Sequence, residues 1–142
     1  MRRVNIYIEI GSRAPKVSKK KFGYVMECVN RGEKVAKAWE GECVGTYHKA
    51  VLWAIKTSMK RLNQNCTVTL YIQDSFVKNM AENNLEEWAQ NGFLTARGMA
   101  VVNKEEWAEI YRYYKQHKIE IVTGKHAYSG LIKEKIKEGN NV

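Results

Sequence analysis

The chain has 142 residues, a length typical of one domain, and we expect residues 1–142 to form a single domain. The hydrophobic fraction of 44% is enough for a packed core, and there is one proline, which together exclude disordered, collagen-like and proline-rich classes. The 24 Lys and Arg residues against 15 Asp and Glu give a net charge of +9, which favours an acidic partner, most commonly nucleic acid.

The first third of the chain predicts three antiparallel strands. Apolar residues alternate over Val4–Ile10, and strand-like runs follow at Phe22–Val29 and Lys34–Glu42, with a hairpin turn signal at Asn30–Glu33. Residues 11–21 predict a loop. This loop carries a cluster of five cations: Arg13, Lys16, Lys19, Lys20 and Lys21.

The remainder alternates helices with two more strands. Helical spacing or capping residues predict helices in five places: after Thr46 up to Asn63, from Asp74 to Glu82, Leu85–Gln90, Lys104–Lys115 and Gly130–Lys137. The two strands are Cys66–Ile72 and Lys118–Val122. His117 is expected to be a surface turn residue, and the polar tail at 139–142 is expected to fray.

The cysteines and the hydropathy pattern bear on location. Cys28, Cys43 and Cys66 are odd in number and form no CxxC pair, which favours free thiols in a reducing cytosol. No apolar stretch approaches the ~18 residues of a membrane span, and no secretory signal pattern is present. We therefore expect a cytoplasmic protein without membrane contact.

The element order is βββ-α-β-α-α-α-β-α, which predicts an α/β fold. Three strands joined by tight turns pair antiparallel, and two strands reached through helical crossovers pair in parallel. The sequence thus predicts a mixed five-stranded sheet, three antiparallel strands plus two parallel ones, flanked by helices.

Three motifs on this framework resemble those of type 1 ribonuclease H. The segment L-Y-I-Q-D-S-F-V, which contains Asp74, resembles the end of the family's fourth strand, T-D-S-x-Y-V. The segment V-T-G-K-H-A, which contains His126, is similar to the loop V-K-G-H-A-G. The first strand, I-Y-I-E-I-G-S, looks like I-x-T-D-G-S. One inserted residue places Glu9 at the position of the Asp, whereas alignment on Gly11–Ser12 alone places Ile10 there. The resemblance covers about Val4 to Glu138 and implies an RNase H-like fold.

The resemblance also implies a set of catalytic residues. The family arranges four carboxylates around two divalent ions. As ligands of Mg²⁺ or Mn²⁺ the resemblance implies Asp74, Glu9 and Glu134. In the last helix the family's position aligns near Ile136, and Glu134 is the acid closest to it. His126 matches the family's proton-shuttling histidine. The helix position that should carry the remaining Glu is Ala50, and no Asp or Glu occurs between Cys43 and Gln73.

The resemblance places the cationic loop beside the minor groove of an RNA–DNA hybrid. The expected nucleic-acid contacts are Arg13, Lys16, Lys19, Lys20, Lys21 and, by stacking, Trp88. Core packing is an equal alternative for Trp88, and Glu134 and His126 could each be ordinary surface residues.

Two hypotheses follow, and the sequence leaves both open. In one, the chain is a divergent nucleic-acid-binding protein with impaired or absent metal-dependent cleavage, for which Ala50 argues. In the other, it is an active endonuclease that hydrolyses the RNA strand of RNA–DNA hybrids, for which Asp74 and His126 argue. The sequence predicts no oligomeric state.

Overall fold

The computed structural model describes residues 1–139, and residues 140–142 of the predicted tail lie outside them. The strands are β1 (Arg2–Ile10), β2 (Ser18–Asn30), β3 (Glu33–Gly45), β4 (Cys66–Ile72) and β5 (Lys118–Thr123). The helices are α1 (Tyr47–Met59), α2 (Ser75–Asn83), α3 (Leu85–Gln90), α4 (Lys104–Gln116) and α5 (Ser129–Gly139). This is the predicted element order.

The five strands form one mixed sheet in the order β3-β2-β1-β4-β5. The pairs β1–β2 and β2–β3 are antiparallel, whereas β1–β4 and β4–β5 are parallel, which confirms the predicted sheet. At the β2–β3 turn both Arg31 (φ 52°) and Gly32 (φ 81°) have positive φ, as a two-residue hairpin with the twist of its strands requires.

The predicted loop at 11–21 is wrong at its C-terminal end. Strand β2 begins at Ser18, which pairs with Gly45 of β3, so Lys19, Lys20 and Lys21 lie in the strand. The start of β2 is polar, so the sequence there lacks the alternation of apolar and polar residues that predicts a strand. These residues are nevertheless in a strand because β3 supplies cross-strand partners for them.

The predicted helix starts differ in their capping. Thr46 accepts a hydrogen bond from the backbone N–H of Lys49 at 3.2 Å, and Asp74 accepts one from Val77 at 3.1 Å, so both act as N-caps. Asn103 precedes α4 with a left-handed backbone (φ 61°) and makes no side-chain capping bond. The expectation that His117 lies on the surface is wrong: it is buried, and its Nδ1 accepts the N–H of Cys66 at 3.0 Å.

Helices cover the two faces of the sheet unequally. The apolar residues of β1, Val4 to Ile10, join the main core together with α1 and α4. The opposite face carries a smaller cluster in which Tyr7 and Val25 meet Ile132 and Ile136 of α5. A Cβ at Gly23 would lie 2.6 Å from Ile132 Cγ2, so α5 approaches β2 this closely because position 23 is glycine. Glu9 therefore points toward the start of α5.

Within the described residues, no helix combines the length and the apolar character needed to cross a membrane.

Candidate active site and nucleic-acid interface

Glu9 is the centre of a hydrogen-bond network at the C-terminal end of β1. Its side chain is 2% exposed, and Gln73 Nε2 donates to both carboxylate oxygens at 2.7 Å. Ser129 Oγ donates to Oε2 at 2.8 Å, and Lys133 Nζ lies 3.7 Å from Oε1. Burial raises the pKa of Glu9, but hydrogen bonds from His126, Gln73 and Ser129 outweigh it, so this pKa lies below its usual value.

Both ring nitrogens of His126 are engaged within the protein, and one of them contacts Glu9. Nδ1 accepts the N–H of Tyr128 at 3.2 Å, which leaves the proton on Nε2. Nε2 lies 3.0 Å from Glu9 Oε2 and 3.0 Å from the carbonyl of Ile8. The side chain is 2% exposed, so in this conformation no ring nitrogen faces solvent to shuttle a proton.

A second carboxyl group follows β4 on the α1 side. Asp74 is buried, and its Oδ1 accepts the N–H of Val77 as the cap of α2. Its Oδ2 lies 2.6 Å from Nδ1 of His48, which is half-exposed and packs on Phe76 with ring centroids 4.5 Å apart. Asp74 is thus bound to a histidine of α1, whereas Glu9 is bound to the His126 loop and α5.

Helix α1 turns no acidic residue toward either carboxylate. Tyr47 and Val51, one turn apart, line the small pocket that contains Glu9 and Gln73. Burial raises the pKa of Tyr47, and the negative charges of Asp74 and Glu9 raise it further. Ala50 is fully buried in the main core. Toward Glu9, α1 therefore presents an aromatic and an apolar side chain, and toward Asp74 it presents His48.

The remaining predicted ligand does not join these groups. Glu134 is exposed on α5, whereas the residues of α5 that contact Glu9 are Ser129 and Lys133. Across residues 1–139, no three His, Cys, Asp or Glu side chains are grouped closely enough to hold a metal ion.

The cationic residues predicted to bind nucleic acid do not all lie in one loop: Arg13 and Lys16 precede β2, and the other three lie in it. Arg13 is exposed and donates to the Gln73 side-chain oxygen, so it stands beside the Glu9 network. Lys16 is exposed, and Lys19 is exposed with Glu42 at 3.4 Å. Lys21 is half-buried in β2. Arg13 and Lys21 thus lie beside the end of β1, whereas Lys16 and Lys19 lie near the end of β3.

The prediction for Lys20 is wrong. Lys20 is 1% exposed, because alternation along β2 turns it to the main-core side. Its ammonium donates to the backbone oxygens of Lys16 (2.8 Å) and Gly45 (3.0 Å) and to Ser18 Oγ. This charge ties the 16–18 segment to the end of β3 and is not presented to a ligand.

Trp88 is half-buried and packs edge-on against Trp107, with ring centroids 5.6 Å apart. It also lines a cavity of about 650 Å³ that extends from His48 and Phe76 toward Arg13. Its environment therefore combines core packing with access to a groove next to Asp74.

Three residues of the Glu9 network were missed from the sequence: Gln73, Ser129 and Lys133. Ser129 and Lys133 are four residues apart, so they share one face of a helix that begins at Ser129. The sequence prediction began this helix one residue later, which concealed that pair. The position of Gln73 directly after β4 was the signal for its role.

Comparison with known proteins identifies the family. The model of the RNase H family matches residues 1–133. The chain belongs to the RNase H family. It is 31% identical over 88 residues to ribonuclease H of Neisseria gonorrhoeae, and 25% identical over 99 residues to ribonuclease H of Idiomarina loihiensis. The matches cover 62% and 70% of this chain and 61% of each relative, so they span about three-fifths of the relatives' length.

Solved RNase H structures share the fold. LC9-RNase H1, described as a type 1 RNase H with the type 2 active-site motif, superposes with a TM-score of 0.72 at 17% identity, covering 96% of this chain and 69% of that one. The RNase H domain of prototype foamy virus gives 0.69 at 17% identity, covering 99% and 95%. At these identities the likeness establishes the fold.

RNase H proteins typically depend on divalent metal ions, but the side chains of this member do not fit such ions. Mg²⁺ requires free, hard oxygen ligands in near-octahedral geometry. Both oxygens of Glu9 already accept hydrogen bonds, and an ammonium lies beside one of them. Asp74 is engaged by Val77 and His48. Within the described chain no third acid joins them.

Proposed function

We propose that this RNase H-like chain binds nucleic acid, an RNA–DNA hybrid or duplex, and that its metal-dependent cleavage is impaired or absent. Membership of the RNase H family and the net charge of +9 support a nucleic-acid ligand. The exposed cations Arg13, Lys16 and Lys19 are the proposed backbone contacts, with Lys21 behind them, and Trp88 is the proposed stacking residue.

The observation that carries the proposal is the environment of Glu9. Two-metal phosphodiester hydrolysis needs a cluster of oxygen ligands that hold the ions about 4 Å apart and generate a hydroxide nucleophile. The resemblance places Ala50, which is buried, at the helix position of the family's Glu. Here donors surround Glu9, and His126 has both nitrogens engaged. The side chains that would have to bind metal ions or transfer a proton are therefore already hydrogen-bonded to other groups of the protein.

An active endonuclease is the alternative, and the retention of Glu9 and Asp74 at two of the family's acid positions favours it. In this alternative Mg²⁺ or Mn²⁺ would draw on Glu9, Asp74 and Glu134. His126 would act as the proton shuttle after release from Glu9. For this alternative to hold, the metal ion must displace the hydrogen-bond donors that contact the carboxylate oxygens of Glu9 and Asp74.

A cleavage assay on labelled RNA–DNA hybrid, with Mg²⁺ and then Mn²⁺, separates the two. We expect no metal-dependent cleavage above that of the Asp74→Asn variant, together with a salt-dependent shift of the hybrid. Cleavage that Asp74→Asn abolishes would establish the alternative. The absence of any hybrid binding at low salt would refute the binding proposal.

The free state of all three cysteines suits a reducing compartment, and we propose a cytoplasmic location on that basis.

A further inference from the structure

A cationic cleft lies next to Glu9 on the α5 side of the sheet. It has a volume of about 410 Å³, and six residues line it: Ile10, Gly11, Arg13, Lys133, Ile136 and Lys137. Arg13 reaches it from the loop after β1, and the two lysines are one turn apart on α5. Side chains from two separate parts of the chain therefore converge on one concave surface.

The charges in this cleft are incompletely balanced. The guanidinium of Arg13 donates to the neutral amide of Gln73, so its charge has no carboxylate partner in that contact. Lys133 lies 3.7 Å from Glu9 and keeps 49% of its side chain exposed, which leaves N–H groups directed outward. Lys137 is exposed. Glu9 is shared with His126, so the opening of the cleft is net positive.

The arrangement supplies what a phosphodiester group needs. Arginine presents a planar fork that matches two phosphate oxygens, and lysine adds a mobile point charge. Metal ions normally deliver positive charge to phosphate in a two-metal site. Here the Lys133 ammonium is paired with Glu9, the carboxylate that would otherwise hold such an ion.

We propose that this cleft binds a backbone phosphate of the nucleic acid directly, through Arg13, Lys133 and Lys137, without a bridging metal ion. The inference rests on the proposed function and specifies which side chains bind the phosphate. Divalent ions then are not needed for binding and only compete with the cationic side chains for the phosphates, because no ligand contact passes through them.

Fluorescence anisotropy with a labelled RNA–DNA hybrid tests this, in EDTA and in Mg²⁺ at equal ionic strength. We expect binding in EDTA to be at least as tight as in Mg²⁺, because Mg²⁺ competes with the cationic side chains for the phosphates. Lys133→Met should weaken binding roughly fivefold to tenfold and lower the slope of log affinity against log salt by about 1, as loss of one phosphate contact requires. Lys133→Arg should retain binding.

Lys135→Met is the matched control. Lys135 is exposed on the same helix, and its offset of two residues from Lys133 turns it about 200° away from the cleft. It removes the same charge from α5, so a purely long-range electrostatic effect would weaken binding equally in both variants. Circular dichroism and thermal melting establish that each variant is folded.

The outcomes distinguish the two proposals. If the wild-type protein binds the hybrid in EDTA but Lys133→Met and Lys135→Met weaken binding equally, phosphate binding in the cleft is refuted and the proposed function stands. Binding that requires Mg²⁺ would do the same. Direct titration with Mn²⁺ by calorimetry should give no saturable binding, and a site that Glu9→Gln abolishes would refute the inference. A wild-type protein that binds no hybrid at low salt would refute the proposed function itself.

Discussion

Replacing Glu9 by glutamine tests the nature of the site through the sign of a stability change. In a cluster of like-charged metal ligands without metal, neutralising one carboxylate relieves repulsion and stabilises the fold. Glu9 has the opposite surroundings, because Gln73, Ser129 and His126 donate to it and Lys133 lies beside it. Glu9→Gln is therefore expected to destabilise the protein.

The size of the effect follows from these contacts. A glutamine keeps one acceptor oxygen and introduces an N–H₂ group that must face existing donors. With the glutamine oxygen in the place of Oε2, Ser129 and His126 keep an acceptor, but the new N–H₂ group faces the donors Gln73 and Lys133 at the former Oε1 position. Loss of the charge from these hydrogen bonds costs about 1–3 kcal/mol. We expect the free energy of unfolding to fall by about 2 kcal/mol, which corresponds to roughly 6–8 °C in Tm for a protein of this size. Urea-induced unfolding at pH 7, followed by circular dichroism without divalent ions, measures it.

The pH dependence supplies a second readout. The pKa of Glu9 in the folded protein is lowered, so its contribution is fully present above the unfolded-state pKa of about 4.3 and is lost as pH falls through the folded-state value. The difference between wild type and Glu9→Gln should stay constant from pH 7 to about pH 5 and shrink below about pH 4. Glu134→Gln, at an exposed position of α5, should change stability by less than about 0.5 kcal/mol. An unchanged or more stable Glu9→Gln protein would refute the reasoning.

Other side chains give independent tests. Lys20→Met removes the donor to the buried oxygen of Gly45 and the partly buried oxygen of Lys16 and should cost about 2–4 kcal/mol in urea unfolding. Exposed Lys19→Met should cost under about 0.5 kcal/mol. Equal losses would contradict the buried placement of Lys20. Burial lowers the pKa of His117, so its stabilising effect is present above about pH 6.5 and lost as pH falls through the lowered value. His117→Asn, which keeps an acceptor but does not titrate there, should flatten the stability profile between pH 7 and pH 5, and an unaltered profile would contradict this.

The sheet could be predicted because its signal is local and periodic. Alternating apolar residues in Val4–Ile10 and Cys66–Ile72 reflect burial against helices, and the crossovers between strands fix which pairs are parallel. The failures occur where a polar residue is buried by distant partners. Lys20 sits in a charged run that favours a solvated loop, and its acceptors include Gly45, which is 25 residues away.

The candidate site was only partly predictable for the same reason. The resemblance supplied Glu9, Asp74 and His126, but their partners are side chains far away in the chain. Ser129 lies 120 residues from Glu9, and no local pattern reports a contact of that separation. The alternating charges around Lys133 are typical of a solvated helix face, so the sequence gives no signal for its contact with Glu9.

The contact between Lys133 and Glu9 separates two roles that metal ions combine in a two-metal nuclease. An ion at this position offers positive charge to phosphate and also an open coordination position at which water becomes hydroxide. An ammonium offers the charge alone, since it has no coordination position and a bound water keeps its ordinary pKa. The proposed site would therefore retain affinity for the backbone while losing hydrolysis. Adding an acid on α1 would be insufficient to restore cleavage, because Lys133 and the donors around Glu9 would still compete with the ion for its oxygens.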